Sequence, residues 1–138
     1  MIFGIGNDLC DIRRIAASLA ERGERFAAQV LTPPELAQWQ DRSARNPERG
    51  VRFVATRFAA KEALAKALGL GMQDPMGWQQ CTVVTLPSGQ PGWQLHGSLA
   101  QWCADRQLRL HLSISDEAAY AACFCVAEHC PPVLHEGG

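Results

Sequence analysis

The stretch Phe58-Ala59-Ala60-Lys61-Glu62-Ala63-Leu64-Ala65-Lys66-Ala67-Leu68-Gly69 decides how this chain is read. Together with Val54, the residues Phe58, Leu64, Ala65 and Leu68 make an apolar stripe at helical spacing, and Gly69 suits a left-handed stop. A helix from about Val51 to Leu68 is therefore expected. Glu62 and Lys66 lie one turn apart on it. Glutamate four residues before lysine is also the common helix-supporting pair, worth ~0.2–0.5 kcal/mol. Spacing alone thus leaves two readings open: an ordinary surface pair, or a carboxylate and an ammonium presented together to a ligand.

Toward the N-terminus, Ile2 to Gly6 alternates apolar residues with glycine, as in a short strand passing close to another backbone. Asp8 is expected where that strand ends, either as a helix cap or turn residue or as a second carboxylate facing Glu62. Helical spacing runs from Asp11 to about Gln29, broken at Gly23, with Arg13, Arg14, Arg22 and Arg25 on its polar part. Thr32-Pro33-Pro34-Glu35 is a helix start of the capping-box type, after which Leu36 and Trp39 point to the core. The polar segment Asp41 to Gly50, with Asn46-Pro47, reads as a loop.

Beyond Gly69, Cys81 to Leu86 and Trp93 to His96 form a hairpin around the turn-rich Pro87-Ser88-Gly89-Gln90-Pro91-Gly92. Ser98 to Arg106 is a short helix, and Leu108 to Ser115 and Tyr120 to Val126 are strands. This order predicts a compact single-domain α+β fold, residues 1–127, with a mostly antiparallel sheet packed against helices. Residues 128–138 are expected to be a poorly ordered extension.

Composition narrows the function classes. With 47% hydrophobic and 20% charged residues the chain is an ordinary globular protein, and its net charge of -1 disfavours nucleic acid or an anionic membrane as partner. The opening residues lack a basic leader, and no segment approaches the ~18 apolar residues of a membrane helix, so a cytoplasmic location is expected. The six cysteines include no C-x-x-C pair and read as buried reduced thiols.

Two blocks carry a resemblance: Gly4-Ile5-Gly6-Asn7-Asp8-Leu9-Cys10-Asp11-Ile12-Arg13-Arg14-Ile15 and Arg57-Phe58-Ala59-Ala60-Lys61-Glu62-Ala63-Leu64-Ala65-Lys66-Ala67-Leu68-Gly69. With Gly89-Gln90-Pro91, His111-Leu112-Ser113-Ile114-Ser115 and Tyr120-Ala121, they resemble the holo-[acyl-carrier-protein] synthase family over roughly residues 1 to 127. The resemblance implies a 4'-phosphopantetheinyl transferase that moves the phosphopantetheine arm of coenzyme A to a serine of an apo acyl carrier protein and releases adenosine 3',5'-bisphosphate. It implies Asp8 and Glu62 as Mg²⁺ ligands, an ion that prefers hard oxygen donors and completes its shell with phosphate and water.

On the same resemblance, Lys66 contacts the pyrophosphate and Lys61, about 100° away on the helix, does so more weakly. Gly69, Gly71 and Pro91 shape the coenzyme A pocket, and His111 either reaches a coenzyme A phosphate or is an ordinary strand histidine. Arg14, Arg22 and Arg25, beside Phe26, either dock the acidic carrier protein or form a solvated helix face. A homotrimer with sites between subunits, in fatty-acid biosynthesis, completes the implied picture. The sequence departs from the family at Gln90, where lysine is common, at Asp116, where many members have histidine, and at Leu70, a frequent threonine. A non-catalytic carrier-binding module and a Mg²⁺-dependent pyrophosphate hydrolase are the competing readings.

Overall fold

The computed structural model describes residues 1–133. Strand β1 (Ile2–Asp11) leads into helices α1 (Ile12–Arg22), α2 (Glu24–Val30), α3 (Pro33–Arg45) and α4 (Pro47–Leu68). A single 3-10 turn (Trp78–Gln80), the hairpin β2 (Cys81–Thr85) and β3 (Pro91–Leu95), helix α5 (Gly97–Asp105), and strands β4 (Leu108–Asp116) and β5 (Tyr120–His129) follow. β5 is the middle strand of an antiparallel sheet ordered β1-β5-β4, while β2 and β3 form a separate two-stranded sheet. The expected α+β architecture is the observed one.

The long helix α4 lies across β1 and β5. Its buried residues Val54, Ala59, Ala60, Ala63, Leu64 and Ala67 build the core against Ala121, Cys123, Cys125 and Ala127 of β5. Gly4 and Gly6 make the approach of β1 possible: a Cβ on Gly4 would overlap the Ala67 carbonyl oxygen, and one on Gly6 would overlap that of Ala63. Here the absent side chains bring strand and helix backbones into direct contact. Gly69 ends α4 at φ 73°, in the left-handed conformation expected of it.

Three sequence expectations change. β1 does not stop at Gly6; it pairs with β5 as far as Asp11, so Asp8 sits inside the strand, opposite Cys123. Asp11 supplies the helix cap instead, accepting the Arg13 N–H at 2.9 Å. Asp41 to Gly50 is no loop, because Asn46 caps α4 by accepting the Glu48 N–H at 3.0 Å and Pro47 opens the first turn. α3 therefore reaches Arg45 and α4 begins four residues early. Finally, β5 runs two residues past the expected domain end, with the His129 N–H donating to the Met1 carbonyl. The last part of the expected C-terminal extension, residues 134–138, lies outside the described residues.

All six cysteines are free, and five of them are buried. Burial pushes the Cys81, Cys123 and Cys125 thiols up to about 12 and those of Cys10 and Cys103 to about 11, so they stay protonated and inert. No described helix is long and apolar enough to cross a membrane.

Candidate functional site

Alternation along β1 aims Gly6, Asp8 and Cys10 toward α4 and leaves Ile5, Asn7 and Leu9 outward. Because the glycines set strand against helix, Asp8 arrives beside the exposed edge of α4. Lys66 donates to Asp8 Oδ1 at 3.1 Å and to the Asn7 carbonyl at 2.9 Å. The intrahelical Glu62–Lys66 pair is absent from the ion pairs of the described residues; the ammonium has turned to the strand.

Glu62 is left half-buried, with its pKa raised above the usual carboxylate range, first by burial and then by the negative charge of Asp8, while Lys66 opposes the shift. Two carboxylates beside one lysine, which pairs with Asp8 alone, form a site short of positive charge. No group of three or more His, Cys, Asp or Glu side chains is placed to hold a metal among the described residues. A two-carboxylate site suits a hard divalent ion such as Mg²⁺ or Mn²⁺ whose other ligands are phosphate and water, and suits metals that seek thiolate or imidazole poorly. Asp8 and Glu62 thus fit the metal that the resemblance implies.

Lys61 has no part in this site. Its ammonium is fully buried, ion-paired with Glu35 at 2.7 Å and donating to the Val30 and Trp78 carbonyls at 2.8 and 2.9 Å. Its expected phosphate contact is corrected to an internal anchor.

The remaining expected residues fall elsewhere. Gly69 and Gly71, both at positive φ, follow the C-terminal end of α4 on the side of Lys66. Pro91 and His111 share a different cavity of about 360 Å³, together with Gln90 and Ser113, along edge strand β4. His111 pairs with Glu128 at 3.1 Å. Asp8 lies on one edge strand and His111 on the other, with β5 between them and their partners Cys123 and Val126 three residues apart along it, so roughly 14 Å of sheet separates the two positions. One chain does not bring them together.

Arg14, Arg22 and Arg25 are exposed on α1 and α2, and none joins an ion pair among the described residues. Phe26, by contrast, is only 6% exposed and lies under the Arg22 guanidinium at 4.6 Å. It supports the basic surface, lining a shallow cavity with Arg22, Arg25 and Gln29.

A cavity of about 480 Å³ was not read from the sequence. Arg42, Arg49, Arg52, Phe53, Thr56 and Arg57 line it with Ile114 and Asp116. Arg42 and Arg57 lie over the Phe53 ring at 4.5 and 4.0 Å. Burial and then the Arg42 charge push Arg57 down to about 10, with the Glu35 carboxylate opposing the shift only in part. The signal was the helical recurrence of arginine at 49, 52 and 57, which the loop reading of 41–50 concealed.

Residues 4–125 match the profile of the 4'-phosphopantetheinyl transferase superfamily. The chain belongs to that superfamily. It is 62% identical over 128 residues to a holo-[acyl-carrier-protein] synthase of Acidovorax sp. (strain JS42), covering 93% of this chain and 98% of that protein. Among solved structures, the holo-[acyl-carrier-protein] synthase of Neisseria meningitidis is 36% identical with a TM-score of 0.84, over 93% of this chain and 99% of that one. The Bacillus anthracis synthase in complex with CoA (3',5'-ADP) is 30% identical with a TM-score of 0.76, over 94% and 99% of the two chains. The transferase fold therefore extends over nearly the whole chain, including the strand and helix that carry Asp8, Glu62 and Lys66.

Proposed function

We infer that the protein transfers the 4'-phosphopantetheine arm of coenzyme A to a serine hydroxyl of an apo acyl carrier protein. The serine oxygen forms a bond to the phosphorus bearing the arm, the pyrophosphate P–O bond breaks, and adenosine 3',5'-bisphosphate leaves. The observation carrying this reading is the convergence of Asp8, Glu62 and Lys66 in a superfamily member. Asp8 and Glu62 would hold Mg²⁺, which when bound stabilises the charge growing on the phosphoryl and leaving oxygens. Lys66, already shared with Asp8, adds a donor for the pyrophosphate. The serine proton would pass to Glu62 through a water held at the site.

Coenzyme A also carries a phosphate on its ribose, which needs a second cationic surface. The arginine-lined cavity and the neighbouring Pro91–His111 cavity supply one, but both flank β4, away from Asp8. A second copy of the chain resolves the separation. The outer face of the sheet exposes Ile5, Leu9, Tyr120 and Phe124, a patch that favours burial against other copies. Three copies around this face, as in the resemblance, would set the β4 edge of one subunit beside the metal site of the next.

The exposed Arg14, Arg22 and Arg25 would meet the acidic carrier helices, speeding encounter by charge complementarity. Carriers of fatty-acid synthesis and a reducing cytoplasm, in keeping with the free thiols, complete the reading.

The test incubates the protein, Mg²⁺ and coenzyme A with a panel of apo carrier proteins and weighs the carriers by mass spectrometry. Gain of one phosphopantetheine arm on the carrier, lost on chelation, is expected. Phosphopantetheine released into solution with no acceptor would point to a hydrolase, and carrier binding with no mass gain to a docking module.

A further inference from the structure

We propose that Glu35 and Lys61, remote from any ligand, are the positioning pair that sets the rotation of α4 and so aims Glu62 at Asp8. The proposal rests on the metal reading above and concerns how this chain builds that site. Lys61 uses all three of its N–H groups, on Glu35, Val30 and Trp78. Glu35 is equally committed. One oxygen accepts from Lys61, from the Thr32 N–H at 2.9 Å and from the Thr32 hydroxyl at 3.1 Å; the other accepts from the Val83 N–H at 2.9 Å. Both side chains are fully buried.

These bonds tie α4 to the end of α2, the start of α3, the 3-10 turn and β2. On its β1 side the same helix is fixed by the backbone contacts at Gly4 and Gly6. Clamped from both sides, α4 has one rotational setting, and Glu62, next in sequence to Lys61, is held about 100° round the axis. A slip of about 10° would displace a carboxylate ~6 Å from the axis by about 1 Å. Displacements of that size in a reacting constellation can cost about a hundredfold in rate. A generic ion pair of this depth is weak as a source of stability but strong as a constraint on geometry.

The experiment titrates Mn²⁺ into the full-length protein and follows the free ion by electron paramagnetic resonance, with melting temperature measured in parallel. Glu35→Gln, which loses an acceptor for Val83, is expected to raise the Mn²⁺ dissociation constant about tenfold. Leu99→Ala, at a buried position of α5, is expected to lower the melting temperature and leave the constant unchanged. Should Glu35→Gln not fold, Thr32→Val removes the hydroxyl's bond to Glu35 together with its bond to Thr82 and is expected to raise the constant by about threefold. An unchanged constant in the folded Glu35 or Thr32 variant, or an equal rise in Leu99→Ala, overturns the proposal. If the unaltered protein binds no Mn²⁺, the metal reading itself fails, and the positioning role falls with it.

Discussion

Glu62 resists ionisation because it is half-buried and faces Asp8. Its pKa in the folded chain therefore lies above its unfolded value, and between the two the folded state holds more protons. Metal-free stability contributed by this group is greatest at low pH and falls as pH rises through that window. Glu62→Gln removes the repulsion and is expected to raise the melting temperature of the chelator-treated protein at neutral pH, while reducing transfer by at least about a hundredfold. Divalent-ion affinity runs the opposite way. Protons compete for Glu62, so apparent affinity should weaken on acidification from a higher pH than an ordinary glutamate, near 4.5, would allow. An affinity flat with pH down to that value would argue against Glu62 as a ligand.

At the level of elements, β1 and α4 form the site because two glycines let their backbones touch. Gly6→Ala drives a methyl into the Ala63 carbonyl and toward the Ala67 nitrogen, an overlap expected to cost about 1–3 kcal/mol in denaturant unfolding and to suppress transfer even where the protein folds. The buried network beside α4 has a direction as well as a shape. Thr32 spends its only hydroxyl proton on Glu35, so the 2.8 Å bond to Thr82 must be donated by Thr82, and the 2.8 Å contact beyond it must be donated by His96 Nε2. Nitrogen NMR is expected to find His96 protonated at Nε2 throughout; a neutral ring protonated only at Nδ1 would break the chain of donors. Much of this scale was legible in the sequence: the α4 stripe, the Gly69 stop, the Thr32–Glu35 cap and the hairpin turn all follow local rules. Asp8's place inside β1 was not legible, since it depends on pairing with β5 more than a hundred residues away. Nor was the burial of Lys61, because helical spacing gives its direction and not the partner waiting there.

Over the whole molecule, the residues proposed to bind one coenzyme A fall on opposite edges of the sheet, so the proposed reaction requires neighbouring copies to complete each site. Ile5→Glu and Phe124→Glu, on the exposed face, are expected to yield folded monomers by sedimentation with transfer reduced by at least about tenfold; full activity in a monomer would remove the intersubunit site. The family motifs pointed to candidate residues, while the sequence could not show that one chain leaves them divided. The central proposal is a single divalent ion held between Asp8 and Glu62. Mn²⁺ binding, read by electron paramagnetic resonance in the unaltered protein, Asp8→Asn and Glu62→Gln, tests it most directly. One ion per chain in the unaltered protein and binding weakened by about tenfold or more in each variant is the expected result; undiminished binding in both variants would contradict it.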